Sequence, residues 1–254
     1  MNGQAHVFDT MGTTVSLRFA CQLPHTDLLG AVETSFRQFD HRFSLYRHDS
    51  ELSRVAQGDL RLDQASVELR ESYAEAVGWG HRTSYAFTPH RPDGILDLSG
   101  IIKAKAMDAA GCLLDAAGET DWLLNVGGDV LSRGSLSDES WRVGIVDPGD
   151  RNALLCIVEL GGEGRRSLAT SGTAERGEHI WRTGPSEAVR YQQVSVLTED
   201  IVTADVLATA ILAGGPDECE GALDRFDIEV LTVDDHGQLT ATRGLHHSAG
   251  IAAQ

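Results

Sequence analysis

The chain has 254 residues, is 41% hydrophobic and 23% charged, and carries a formal net charge of −17. That length accommodates one large domain or two small lobes, with enough apolar material for a sizeable core. The acidity argues against nucleic acid or anionic membrane as a main partner, since both need clustered Lys and Arg, and any phosphate ligand then requires a local device such as a divalent metal to cancel repulsion.

Cys21, Cys112, Cys156 and Cys219 are scattered, with no CxxC and no paired His, which speaks against a zinc site or a disulfide framework and predicts buried thiols in a reducing compartment. MNGQAHVFDTMG lacks a charged n-region and an apolar h-region, and no run approaches the roughly 18 apolar residues of a membrane span. The expected location is cytoplasmic, without membrane insertion.

Taken in chain order, Val15, Leu17, Phe19 and Cys21 alternate with polar residues, which predicts a half-buried strand. Thr26 or Asp27 then caps a helix in which Leu29, Val32, Phe36, Phe39 and Phe43 recur every three or four residues. FSLYRHDSELSRV leads to a second helix carrying Leu69, Tyr73 and Val77, with Ser66 as its cap. RTSYAFTPHRPDGILDLSG, with two prolines, reads as a surface-shaping loop entering a short strand at Ile95 to Leu98. Ile102, Ala106, Ala110, Leu113 and Ala117 mark a helix, and WLLNV, RVGIV, LLCIVEL, RSLAT and QQVSVLT follow as five short strands. TADVLATAIL is again helical, LTVDDHGQLTAT closes as a hairpin over Asp-His-Gly, and the tail GLHHSAGIAAQ has little to bury.

Strands in groups with helices inserted predict an α+β fold rather than a doubly wound sheet. No repeat, low-complexity tract or linker divides the chain, so it reads as a single domain over 1–254, with a core of about 6–242 and a frayed tail over 245–254. NVGGDV follows a strand but lacks GxGxxG, and no P-loop signature occurs.

Three stretches could carry chemistry. Asp205 and Thr209 lie one helical turn apart and can offer two hard oxygens to Mg²⁺; alternatively Asp205 only favours the helix N-terminus, with Thr203 as cap. In ILDLSGIIKAKAMD a strand ends at Asp97, turns at Ser99-Gly100 and starts a helix with Lys103 in its first turns. That is either a phosphate-binding helix start or an ordinary connection whose Lys103 and Lys105 sit in solvent. In SLATSGTAERGEHIWRTG, Thr170, Ser171 and Gly172 let a ligand approach the backbone, and His179 can donate to a phosphate or take a proton; equally, a lone histidine can be structural.

MGTTVSLRF, FSLYRHDSELSRV, LDLSGIIKAKAMD, LLNVGGD, WRVGIVDP, LATSGTAERGEHI and TADVLATAIL occur in this order between about Met11 and Gly214. Together they resemble the FAD:protein FMN transferase (ApbE) family, of which this chain looks like a shortened cytoplasmic member. The resemblance implies an α+β fold of mixed, largely antiparallel sheets with inserted helices and an FAD cleft between two lobes. It implies Mg²⁺ and FAD, the latter as substrate, and transfer of FMN through a phosphoester bond to a Thr or Ser of an acceptor flavoprotein, releasing AMP. With water in place of the acceptor the same chemistry makes an FAD pyrophosphatase, and without catalysis a flavin-binding protein. Carried over by position, Asp205 and Thr209 hold the metal with side-chain oxygens and Gly100 with its carbonyl. Met11, Tyr46, Ala86, Phe87, Thr88, Asp97, Lys103, His179 and Ile180 fall where the family contacts FAD, beside Ser171 and Gly172. In the reaction Asp205 places the cation and His179 accepts the proton of the incoming hydroxyl.

Overall fold

A computed structural model describes residues 4–161, 164–172 and 190–245. Its middle layer is an eight-stranded sheet in the spatial order β1 (Gln4–Thr10), β2 (Thr13–Phe19), β3 (Trp122–Val126), β4 (Asp129–Arg133), β7 (Ser167–Gly172), β8 (Tyr191–Thr198), β9 (Glu229–Asp234) and β10 (Leu239–Ala241). Every neighbouring pair in it is antiparallel. A separate ribbon pairs β5 (Trp141–Val146) with β6 (Leu154–Leu160).

The period of two along the strands sorts side chains into two cores. On β3, Trp122, Leu124 and Val126 enter the larger core under the helices, while Leu123 faces the smaller one. That smaller core joins Leu168, Leu197 and Leu231 of the sheet to Trp141, Ile145, Val158 and Leu160 of the ribbon. The result is three layers: helices, sheet, ribbon. This is the α+β, antiparallel architecture the sequence predicts.

The helical layer comprises α1 (Thr26–Phe43), α2 (Glu51–Ala56), α3 (Val67–Arg82), α4 (Ser99–Ala116) and α5 (Ile201–Arg225). Leu29, Val32, Phe36 and Phe43 give α1 one buried face, and Ser66 caps α3 by accepting from the Leu69 N–H at 3.3 Å. By contrast α4 and the first half of α5 are rich in Ala and Ile and buried on several sides, as befits central helices. No helix among the described residues is long and apolar enough to cross a membrane.

Several details depart from the sequence reading. Residues Ile95 to Leu98 form no strand; the loop is closed by an isolated bridge of His90 to Leu96. The helix expected from Ile102 starts at Ser99, so Ser99 and Gly100 lie inside α4 instead of in a turn before it. Asp200, not Thr203, caps α5, accepting from the Thr203 N–H at 2.6 Å. His25 precedes α1 as its cap in place of Thr26 or Asp27. Strands β1 and β4 and helix α2 were not anticipated, because they are short or, like QAHVFDT, mostly exposed. Of the four thiols only Cys156 is buried; Cys21 and Cys112 are exposed and Cys219 is intermediate. Leu245, at the start of the expected frayed tail, is buried in the smaller core.

Two glycines set how closely the helices meet the 83–98 loop. A Cβ on Gly100 would lie 2.9 Å from Cε2 of the buried Phe87, and one on Gly214 would lie 3.1 Å from the Ala86 Cβ and 2.7 Å from the Glu218 Cβ. Just beyond, Gly215 adopts φ 72°, ψ −154° ahead of Pro216, which breaks α5 into two helical halves. The second half is tied to the end of α3 by Arg225, which donates to the Arg82 carbonyl at 2.6 Å and to Glu218 Oε1 at 2.9 Å.

Two outcomes follow. Gly100→Ala gains about 1 kcal/mol of helix propensity, but crowding a packed ring costs about 1–3 kcal/mol; the variant's urea midpoint should therefore fall, and a raised midpoint contradicts the close packing. Burial pushes the Glu218 carboxyl above its ordinary 4.5, with Arg225 opposing the shift. A raised acid contributes stability that is fully present below the ordinary value and is lost as pH rises through the folded one. Wild type should accordingly lose stability relative to Glu218→Gln between mildly acidic and neutral pH in urea titrations; a constant difference refutes this.

Candidate active site

The site is assembled where α4 and α5 cross the sheet at β4 and β7. Lys103, in the second turn of α4, is only 8% exposed, and its ammonium bonds the Asp129 carboxylate while lying 3.7 Å from Asp205 Oδ1. Asp129 and Asp205 are themselves 1% and 4% exposed. One ammonium therefore faces two buried carboxylates in a low-dielectric place where an isolated charge is costly.

The backbone explains how Asp129 arrives there. Gly127 and Gly128, with φ of 58° and 99°, turn β3 directly into β4, a geometry that side-chain-bearing residues resist. Gly127 also leaves no room for a Cβ, which would sit 2.6 Å from Thr13 Oγ1, and its N–H donates to the Thr14 carbonyl at 3.2 Å. The first residue after this turn is Asp129. Its Oδ1 accepts the Thr170 N–H at 3.0 Å, so one carboxylate joins the hairpin, β7 and α4.

Hydroxyl pairs lie on both faces of the sheet there, Thr170 with Ser195 on the ribbon side beside Leu168 and Leu197, and Ser171 with Thr209 on the helical side that carries Asp205. Thr170 Oγ1 and Ser195 Oγ are 2.8 Å apart, and Ser171 Oγ and Thr209 Oγ1 are 3.1 Å apart. Thr209 follows Asp205 by one turn of α5, so the two oxygens read from the sequence as a pair do share a face, and that face looks at Lys103 and Ser171. The N-terminal role considered for Asp205 belongs to Asp200. Nor does Lys103 sit in solvent, whereas Lys105 pairs with Glu75.

The side chains gathered here offer hard oxygens, a carboxylate and hydroxyls, while Gly100 lies in the first turn of α4. This suits Mg²⁺, which keeps waters and borrows ligands from substrate phosphates. Among the described residues no group of three or more His, Cys, Asp or Glu is arranged to hold a metal.

The other residues singled out in the sequence are placed around this cluster to different degrees. Asp97 Oδ1 accepts the Ser99 N–H at 2.9 Å, which fastens the entry into α4. Ala86 and Phe87 pack on Gly214 and Gly100, and Thr88 accepts from the His90 N–H at 3.2 Å. Met11, at φ 51°, forms the β1–β2 turn beside the glycine hairpin and is partly buried against the larger core. Ser171 and Gly172 lie within β7, not after it. Tyr46 is 86% exposed and makes no side-chain contact with the cluster among those described. His179 and Ile180 lie outside the described residues. Asp129 is the member of the cluster that the sequence reading does not single out; the glycine pair before it is the available signal, as a hairpin turn rather than a failed nucleotide fingerprint.

Residues 88–232 match the family model described as the ApbE family. Two curated relatives are each named FAD:protein FMN transferase. That of Klebsiella pneumoniae (strain 342) is 28% identical over 159 residues, 58% of this chain and 45% of the relative. That of Rhodobacter capsulatus is 32% identical over 157 residues, 58% of this chain and 29% of the relative. The chain thus spans less than half the length of either. Among solved structures, the flavin transferase ApbE from Vibrio cholerae superposes with a TM-score of 0.77 at 22% identity, covering 97% of this chain and 99% of that one. With its matched stretch exceeding half of its 254 residues, the chain belongs to the ApbE family.

Proposed function

We propose that the chain is a Mg²⁺-dependent FAD:protein FMN transferase of the cytoplasm, which attaches FMN through a phosphoester bond to a Thr or Ser of an acceptor flavoprotein and releases AMP. The observation that carries this reading is the buried Lys103, Asp129 and Asp205 cluster beside the Thr209 and Ser171 hydroxyls. The names of the two relatives support the activity.

In this reading Asp205 and Thr209 hold the ion with side-chain oxygens and Gly100 with its carbonyl. The ion, when bound, neutralises charge on the diphosphate of FAD. Lys103 supplies a fixed positive charge for the same diphosphate, held in place by two carboxylates. Ala86, Phe87 and Thr88, on a loop clamped against both central helices, form a wall for the flavin, together with Met11 and Tyr46. Ser171 and Gly172 let the substrate approach the β7 backbone. His179, followed by Ile180, takes the proton of the acceptor hydroxyl as the new oxygen–phosphorus bond forms and the bond to AMP breaks. Close, oriented burial of both reactants is the remaining contribution.

Incubation with FAD, Mg²⁺ and an acceptor flavoprotein should yield a fluorescent covalent adduct and one AMP per adduct. Because loss of even an outer-shell partner commonly costs 10–100-fold, Asp205→Ala should lower the rate by about 100-fold or more. Adduct formation by Asp205→Ala at the wild-type rate overturns the metal assignment, and rapid AMP release with no acceptor present identifies a pyrophosphatase instead.

A further inference from the structure

We infer that β1 is an interaction surface for a second copy of this chain: two β1 strands pair antiparallel about a twofold axis at Val7 and join the two eight-stranded sheets into one.

Strand β1 ends the sheet, bonded to β2 alone among the described strands. Thr10 and Thr13 flank the two-residue turn of Met11 and Gly12, whose φ values of 51° and 71° are those of a tight hairpin. They therefore exchange both backbone bonds, and Phe8 with Val15 and His6 with Leu17 do the same. The N–H and C=O groups of Ala5, Val7 and Asp9 consequently point away from β2. The bond from the Gly127 N–H to the Thr14 carbonyl agrees, since it turns the cross-strand partner of Asp9 toward β3. Free edges are commonly guarded by lysine, proline or a bulge. QAHVFDT has no lysine, arginine or proline, its register with β2 is unbroken, and Val7 at its centre is 57% exposed.

Self-complementarity and charge select a second copy and fix the register. Placed antiparallel, Val7 meets the partner's Val7 and Ala5 meets the partner's Asp9 at both ends, each pair exchanging its outward backbone bonds. On the helical face His6 then meets the partner's Phe8, extending a contact whose ring centroids are 5.6 Å apart within one chain. Ala5 is also the cross-strand partner of Arg18, so Arg18, Ala5 and the partner's Asp9 form a row on one face. Arg18 and that aspartate stand two strands apart, about 10 Å between backbones. The small alanine between them lets an extended guanidinium reach the carboxylate, once at each end of the pairing. Within one chain Arg18 is exposed, and Asp9 accepts the Thr14 hydroxyl at 2.7 Å. Slipping the pairing by two residues takes Asp9 off Ala5 and loses both ion pairs.

The experiment is sedimentation equilibrium of the full chain across the micromolar range, where a dimer is expected. Val7→Lys sets like charges opposite each other on the axis, and Asp9→Arg turns both attractions into repulsions. Each should weaken dimerisation about tenfold or more. Adding Arg18→Asp to Asp9→Arg should restore most of that loss, a rescue that a merely structural role of either residue does not give. Should Val7→Lys lose its fold by circular dichroism, the charge exchange decides; should Asp9→Arg do so, Val7→Lys decides. A monomeric wild type, a larger assembly, a dimer that keeps its affinity in either folded single variant, or no recovery in the charge exchange overturns the inference. The transferase reading stands in each of those cases, because Val7, Asp9 and Arg18 take no part in the candidate site.

Discussion

One buried ammonium shared unequally by two carboxylates organises this molecule. Lys103, Asp129 and Asp205 come from α4, β4 and α5, and burying them is tolerable only because each charge has an opposite neighbour. The arrangement constrains the surroundings in turn. The β3–β4 turn must be glycine to deliver Asp129, the strand beside it must offer the Thr170 N–H, and the two central helices must run close enough for Lys103 to reach both acids. The hydroxyls of Ser171 and Thr209, brought together one helical turn from Asp205, set the place apart from a merely structural knot.

Most of the framework was legible in the sequence for physical reasons that can be named. Helices α1 and α3 announce themselves through one apolar face and, for α3, a serine cap. The strands WLLNV, LLCIVEL and QQVSVLT do so through dense apolar runs bounded by turns. Less visible were β1, whose residues are mostly exposed and so lack a clear alternation, and β4, which follows its partner without a polar gap because two glycines suffice to reverse the chain. The start of α4 was misplaced by three residues because Ser-Gly reads as a turn. Here a glycine is required inside the helix for contact with Phe87, a tertiary demand that local propensity does not encode.

The site divides along the same line. The pairing of Asp205 with Thr209 is local, one turn of one helix, and therefore readable from spacing. The fate of Lys103 is not local: whether it meets solvent or carboxylates depends on where β4 falls, and spacing is silent on that. Resemblance to a family supplied the significance of the pair, while the antiparallel register of β4 with β7 supplied the company it keeps. Asp129 illustrates the difference well, since its motif was noticed for the nucleotide signature it lacked while its importance comes from the turn it ends.

The all-antiparallel sheet has a further bearing on how the protein comes to be competent. Its candidate site draws on α4, β4, β7 and α5, elements spread over about half of the chain, and no lone hairpin assembles it. A ligand that bridges these elements binds the state in which all of them are in place, and so raises the unfolding free energy of the native state. For this topology, binding capacity is therefore a property of long-range pairing and not of any one local segment.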